Sequence, residues 1–249
     1  MLINWCSPAS TLRLQPADLH IWRADLQPAA QDQALVNRLQ QLLSDDERAR
    51  AERFYFEKDR LRFTLARGGL RMILSRYLNL SPAALQFAYG PVQKPTLAYP
   101  VEPLCFNLSH SQDLALYAVA WNHEVGIDIE QLRDDCDYGG IAGRFFSTQE
   151  QQELAQLSPD LQIQGFFNGW TRKEAILKAI GKGLTVPLEQ LEVSLIGDAC
   201  LRRIDWQPTE LTRWRLYNLQ VEAGYAAAVA VAEAGLDWQI TGWQFNWRI

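Results

Sequence analysis

The sequence is short of the features that mark several large classes of protein. It has only four cysteines, Cys6, Cys105, Cys136 and Cys200. None sits in a CxxC pair or at metal-ligand spacing, which excludes a disulfide framework and fits a reduced, cytoplasmic protein. Its three histidines, His20, His110 and His123, are not spaced for zinc. No apolar run is longer than Leu114–Trp121 or Tyr225–Ala232, and both are far short of the ~20 residues a membrane span needs. Arg13 is the first basic residue and no apolar segment follows it, so no secretory signal is expected. Positive charge is not in surplus either: 24 Lys+Arg against 29 Asp+Glu give a net charge of −5. That balance argues against a generic nucleic-acid or anionic-membrane binder but leaves room for a local basic pocket. There is no Walker loop, Rossmann fingerprint or GxSxG elbow, so nucleophilic-serine catalysis has no support. Asp135-x-Asp137-x-Gly139-Gly140 opens like an EF-hand loop, but Phe146 stands where the closing glutamate belongs.

What is present is a core and an internal echo. Of 249 residues, 48% are apolar and 21% charged, which suits one large domain or two small ones. Nine tryptophans are spread along the chain as core contacts. Phe63–Leu74 and Phe167–Ala179 both read as helices. A proline-opened strand entry follows each (Pro82, Pro187), and then an alanine-rich strand from Tyr117 or Tyr225. These markers recur in order at an offset of about 105 positions, which suggests a duplicated unit. The expected fold is α+β, with an N-terminal lobe over 1–121, a C-terminal lobe over 122–249 and a ligand in the cleft between them. Ser44 is the N-cap of a charged helix running to Phe56. Leu104–Leu108, Leu114–Trp121 and Val125–Glu130 read as strands, the last two as a hairpin through Asn122-His123. Helices fill Ser147–Ile180 and stop at Gly181 and Gly183.

Strand alternation in Glu124–Glu130 (EVGIDIE) puts Val125, Ile127 and Ile129 on one face and Gly126, Asp128 and Glu130 on the other. The two carboxylates are then about 6.5–7 Å apart and point the same way. On its own this is also the solvent face of an amphipathic strand. Repelling carboxylates are poor strand formers, however, and beside a glycine they hint at a cation and a closely approached backbone. On the helix Phe166–Ile180, Glu174 falls about 80° from Phe166, inside the apolar arc. Lys173 can snorkel from such a position, but a short glutamate cannot and needs a partner. Lys178 follows at i+4.

Asp128, Glu130 and Glu174 make an all-oxygen donor set suited to Mg²⁺, with Mn²⁺ as a substitute. In Cys105–Ser111 (CFNLSHS), two serines flank His110, and hydroxyls, imidazole and turn amides at a strand end suit a phosphate. Lys94-Pro95 reads as a surface turn. Arg48, Arg50, Arg53, Arg62 and Arg67 cluster in the N-terminal helices, where several suit one wall of an anion pocket.

Five strings in this order, YGPVQKP, FNLSHS, VGIDIE, RFFSTQE and WTRKEAILKAIGKGL, span Tyr89–Leu184. Together they resemble the larger, Sfp-type monomeric class of the 4′-phosphopantetheinyl transferase superfamily. The resemblance implies two similar α/β lobes in a pseudo-twofold arrangement with the active site between them. It implies transfer of phosphopantetheine from coenzyme A to a serine of an apo acyl or peptidyl carrier protein, with adenosine 3′,5′-bisphosphate as the other product. By the family pattern Asp128, Glu130 and Glu174 hold Mg²⁺, and Glu174 also takes the serine proton. Lys178 serves the leaving phosphate. Ser109 and His110 contact phosphates, Lys94 and Pro95 the nucleotide end, and Arg50, Arg62 or Arg67 the 3′-phosphate. One departure is Gln93, where the family usually has glycine before Lys-Pro.

The strip Trp170–Gly183 holds four basic residues and one acid. With the mobile-looking stretch Gln131–Arg144, it is the expected dock for an acidic carrier, and reversing Arg172 and Lys182 is expected to raise the carrier KM. Two other readings stay open. One is a Mg²⁺-dependent nuclease, which the acid-plus-lysine pattern also resembles; the other is a CoA- or carrier-binding scaffold without turnover.

Overall fold

The computed structural model describes residues 1–9 and 11–247. The first half runs β1 (Trp5–Cys6), β2 (Asp18–Asp25), α1 (Leu26–Gln31), α2 (Gln33–Leu42), α3 (Asp45–Glu52), α4 (Glu57–Leu78), β3 (Gln86–Tyr89), β4 (Pro95–Tyr99), β5 (Leu104–Ser111) and β6 (Leu114–Trp121). The second half runs β7 (Val125–Gln131), α5 (Tyr138–Phe145), α6 (Thr148–Gln156), α7 (Pro159–Ile180), β8 (Leu191–Val193), β9 (Leu201–Ile204), β10 (Trp214–Asn218), β11 (Tyr225–Ala232) and β12 (Gln239–Gln244).

The echo in the sequence is a repeat of topology. In each half a long helix leads into a 3₁₀ turn (Pro82–Ala84, Leu188–Gln190), a two-stranded hairpin and two longer strands. The strand preceding that helix pairs antiparallel with the last: β2 with β6, and β7 with β11. Both halves therefore contain one strand order, β5-β6-β2 and β10-β11-β7. The first sheet is wider because β12 joins β2 in parallel, with β1 beyond it. The last strand of the chain thus lies in the N-terminal sheet.

Two local expectations fail for identifiable reasons. β6 and β7 do not form a hairpin, because β2 and β5 already occupy both edges of β6. Instead Asn122, at φ 60, turns the chain from one sheet into the other. The charged helix after Ser44 is capped as expected, by a box with Glu47, but stops at Glu52. Phe54, Tyr55 and Phe56 are weak helix formers, and Glu57 and Asp59 open a new first turn in α4.

Alternation along the strands builds four layers. Leu116, Ala118 and Ala120 of β6 face Val125, Ile127 and Ile129 of β7 and Ala227, Val229 and Val231 of β11 in a core between the sheets. The opposite faces pack outward. Ala115, Tyr117 and Val119 meet α4, while Ala228, Ala230 and Ala232 meet α7.

Helix α7 is held in place by buried cations that sequence reasoning put at the surface. Lys173 is fully buried; its ammonium lies 2.7 Å from Glu150 and donates to the carbonyls of Leu188 and Leu191. Glu150 closes the capping box of α6 by accepting from the Ser147 amide (2.7 Å) and also accepts from the Val193 amide (2.9 Å). Arg172 is buried too, donating to Ser194 O (2.7 Å) and Gly197 O (2.9 Å). This rules out Arg172 as a docking residue, because its guanidinium points into the protein. Truncating one partner of such a buried pair leaves the other uncompensated. Lys173→Met is therefore expected to lower unfolding free energy by about 3–5 kcal/mol, read from the urea midpoint. A midpoint within error of the parent would contradict this anchoring.

Candidate active site at the seam between the sheets

β5 and β7 are edge strands of different sheets, and side chains join them in place of a backbone ladder. Asn107, Ser109 and Ser111 alternate onto one face of β5. Asn107 Oδ1 accepts from the Ile127 amide (2.9 Å). The Ser109 hydroxyl donates to Asp128 Oδ1 (2.8 Å), and the Ser111 hydroxyl to Glu130 Oε2 (2.9 Å). Ser111 Oγ also accepts from the Gln131 amide (3.1 Å). The expected serine-rich turn is thus the end of a paired strand, with Ser109 opposite Leu116 and His110 opposite Ala115 on β6. The hydroxyls serve the carboxylates of β7.

On its far side β7 meets α7 closely. A Cβ on Gly126 would lie 2.1 Å from Ala175 O and 2.3 Å from Ala179 N, so only glycine fits there. This close approach brings Glu174 and Lys178 to the carboxylate face of β7. Lys178 Nζ lies 2.5 Å from Asp128 Oδ1 and 3.1 Å from Ser109 Oγ. The Glu174 carboxylate, half-buried, makes no hydrogen bond among the described residues. Burial, then Asp128 and Glu130, push its carboxyl up to about 7. Burial and Asp128 also raise Glu130.

The donor set suits a hard divalent cation, since Asp128 Oδ2 is buried without a partner and all three acids are oxygen donors. Among the described residues, no three such groups stand ready about one point to hold an ion. Lys178 lies on Asp128 instead.

A cavity of about 450 Å³ opens beside this cluster, lined by Arg50, Arg67, Lys94, Pro95, Ser109, His110 and Lys178 among others. Arg67 is buried among the rings of Phe63, Phe87 and Tyr89 and has one unpartnered nitrogen, Nη1. His110 is held down at about 4, by burial first and then by Lys178 and Arg62, so it is neutral at pH 7. Arg62 does not line the cavity. It donates to Gln112 Oε1 (2.7 Å) and lies near Asp59 and Asp113. Lys94 lines the cavity, but its ammonium donates to Val125 O and Ala179 O, both at 3.1 Å, tying β7 to the end of α7. Burial lowers it to about 8.

Sequence reasoning missed the bridging of Asn107 and Ser111. Their i, i+2, i+4 spacing with Ser109 was the available signal. It also missed Glu47 and Arg71, a buried pair 2.7 Å apart that carries the Arg67 wall.

Comparison with known proteins identifies the family. The profile described as "4′-phosphopantetheinyl transferase, N-terminal" matches residues 27–122, and that of the 4′-phosphopantetheinyl transferase superfamily matches residues 124–230. The chain is 40% identical over 248 residues to the 4′-phosphopantetheinyl transferase HetI of a Nostoc species, covering 97% of this chain and 98% of that one. It belongs to the 4′-phosphopantetheinyl transferase superfamily. Similarity extends to the 4′-phosphopantetheinyl transferase Sfp of Bacillus subtilis, 30% identical over 204 residues and covering 82% and 88% of the two chains.

In this transferase, Glu174 sets stability against pH. Its folded value lies above the ordinary 4.5, so the folded state binds the extra proton. The associated stability is present below about 4.5 and lost as pH rises through about 7. Glu174→Gln is thus expected to be more stable than the parent at pH 8, by on the order of 1–3 kcal/mol, with the gain vanishing at pH 4.5. Equal gains at both pH values in metal-free thermal melts would contradict the raised carboxyl.

Proposed function

We propose that this transferase moves the phosphopantetheine arm of coenzyme A onto a serine hydroxyl of an apo acyl or peptidyl carrier protein. The observation that carries the reading is a cavity lined by Arg50, Arg67 and Lys178 that opens beside the Asp128–Glu130–Glu174 cluster, with Lys178 reaching Asp128. Anion-binding and acid–base groups then serve one phosphoryl transfer. The nuclease and the inert scaffold have no support beside the family membership.

In the proposed reaction, the serine oxygen bonds to the phosphorus that bears the pantetheine arm. The bond from that phosphorus to the bridging oxygen breaks, and adenosine 3′,5′-bisphosphate leaves. Glu174, at about 7, is poised to take the serine proton near neutral pH. Lys178 offsets charge on the departing phosphate, which competes with Asp128 for its ammonium. Arg67 and Arg50 hold the nucleotide phosphates, with Ser109 and His110 beside them. Asp128, Glu130 and Glu174 are the residues that would hold Mg²⁺ or Mn²⁺, which supplies charge neutralisation on the pyrophosphate.

The assigned parts divide between 1–121, the nucleotide side, and 122–249, the carboxylate side. A monomer suffices, since one chain supplies both. Four free thiols support a reducing, cytoplasmic setting, and no described helix is long and apolar enough to cross a membrane. With Arg172 and Lys173 buried, the basic contacts left for an acidic carrier are the exposed Lys182, Arg133 and Arg144. The last lies on α5, which gives the stretch after β7 a helix.

Intact mass of several apo carriers after incubation with the protein, CoA and Mg²⁺ tests the reaction. One added phosphopantetheine is expected, lost with Glu174→Gln and with a chelator. No gain on any carrier would sink the proposal.

A further inference from the structure

The cavity has one wall whose backbone works against its own residue. β3 and β4 are joined through Gly90–Lys94, where the Gln93 amide donates to Gly90 O (2.9 Å) and the Gly90 amide to Lys94 O (3.4 Å). This is a tight turn followed by a left-handed residue, a position that glycine fills without steric penalty. Here it is filled by Gln93, at φ 61. Among the described residues nothing offsets the penalty: the Gln93 side chain is exposed and makes no hydrogen bond to any of them. It does line the cavity. A strained residue kept at the rim of a site is a reason to look for a ligand contact.

The chemistry of the other lining residues narrows that contact. Arg50, Arg67 and Lys178 are cations suited to phosphates. Besides Gln93, the neutral amide in the lining is Asn107, and its oxygen is taken by the Ile127 amide. A free carboxamide offers a donor and an acceptor side by side. That is the complement of the N6–N7 edge of adenine, an amino group beside a ring-nitrogen acceptor. On that edge hypoxanthine presents two acceptors, O6 and N7, so no orientation of the amide pairs with both.

Resting on the reading that this cavity takes coenzyme A, we propose that Gln93 is a base-selecting residue whose side-chain amide hydrogen-bonds the adenine of the nucleotide. The test is calorimetric titration with adenosine 3′,5′-bisphosphate and its inosine counterpart, using the parent, Gln93→Gly and Gln93→Ala. The parent is expected to favour adenosine. Both variants are expected to bind adenosine 3′,5′-bisphosphate about 5–10-fold more weakly, the scale of one hydrogen bond, and to lose most of the preference. Gln93→Gly alone is expected to melt about 2–4 °C higher, as the left-handed strain is relieved.

Unchanged affinity and preference in both variants would overturn the inference while leaving the CoA reading intact. Weakening in Gln93→Gly alone would also overturn it, by assigning the loss to a looser turn. A parent that binds neither nucleotide would overturn the CoA reading and this inference together.

Discussion

The structure turns on the bare edge of β7. One side of this strand pairs with β11; the other has no strand partner, yet it is buried against β5. Its main-chain groups are met by side chains instead. Lys94 donates to the Val125 carbonyl, Asn107 accepts from the Ile127 amide, and Ser111 accepts from the Gln131 amide. Leaving such groups unmet costs a few kcal/mol each, so the seam constrains which residues β5 carries. A direct ladder would merge the two sheets into one. Bridging by side chains keeps them as separate halves and leaves hydroxyls free to hold the carboxylates of Asp128 and Glu130.

From this constraint follows an arrangement that is useful chemically and unfavourable to folding. Three carboxylates face one another, Asp128 buried and Glu130 and Glu174 half-buried, with Lys178 as the near cation. Each element is held from outside the site. Gly126 lets α7 lie against β7, the Glu150–Lys173 pair fixes the far side of α7, and Glu47 with Arg71 backs the Arg67 wall. Strain of a second kind sits at Gln93. Sites that trade stability for charge placement in this way are usual in enzymes, and the stabilising interactions here lie in the surrounding shell.

Local pattern made much of this legible. Period-two alternation placed Asp128 and Glu130 on one face and Gly126 was read as a point of close approach, and the structure bears out both. The helical wheel put Glu174 toward the core, whereas it is half-buried on the Trp170–Glu174–Lys178 stripe, turned to the carboxylates of β7. The repeat was visible because equivalent helices, turns and strands keep their order and spacing. What escaped depends on contacts far apart in sequence. Nothing local marks Arg172 as buried, and Lys173, inside the apolar arc, was expected to snorkel out; the acceptors of Arg172 lie on Ser194 and Gly197, and those of Lys173 on Leu188, Leu191 and Glu150. The absence of a β6–β7 hairpin follows from β2 and β5 filling both edges of β6. Arg62 looks like its neighbours on α4, yet it lies beside Gln112 and Asp113 and outside the cavity.

The most direct test of this account is hydrogen exchange at the Ile127 amide, compared between the parent and Asn107→Ala. The account predicts slow exchange in the parent, at the rate of the sheet interiors. In the variant it predicts fast exchange at Ile127 and a loss of phosphopantetheine transfer, with protection in α4, α7 and the β6 and β11 ladders retained. An Ile127 amide that exchanges freely in the parent, or a variant with full transfer activity, would contradict the claim that the side-chain seam holds the site together.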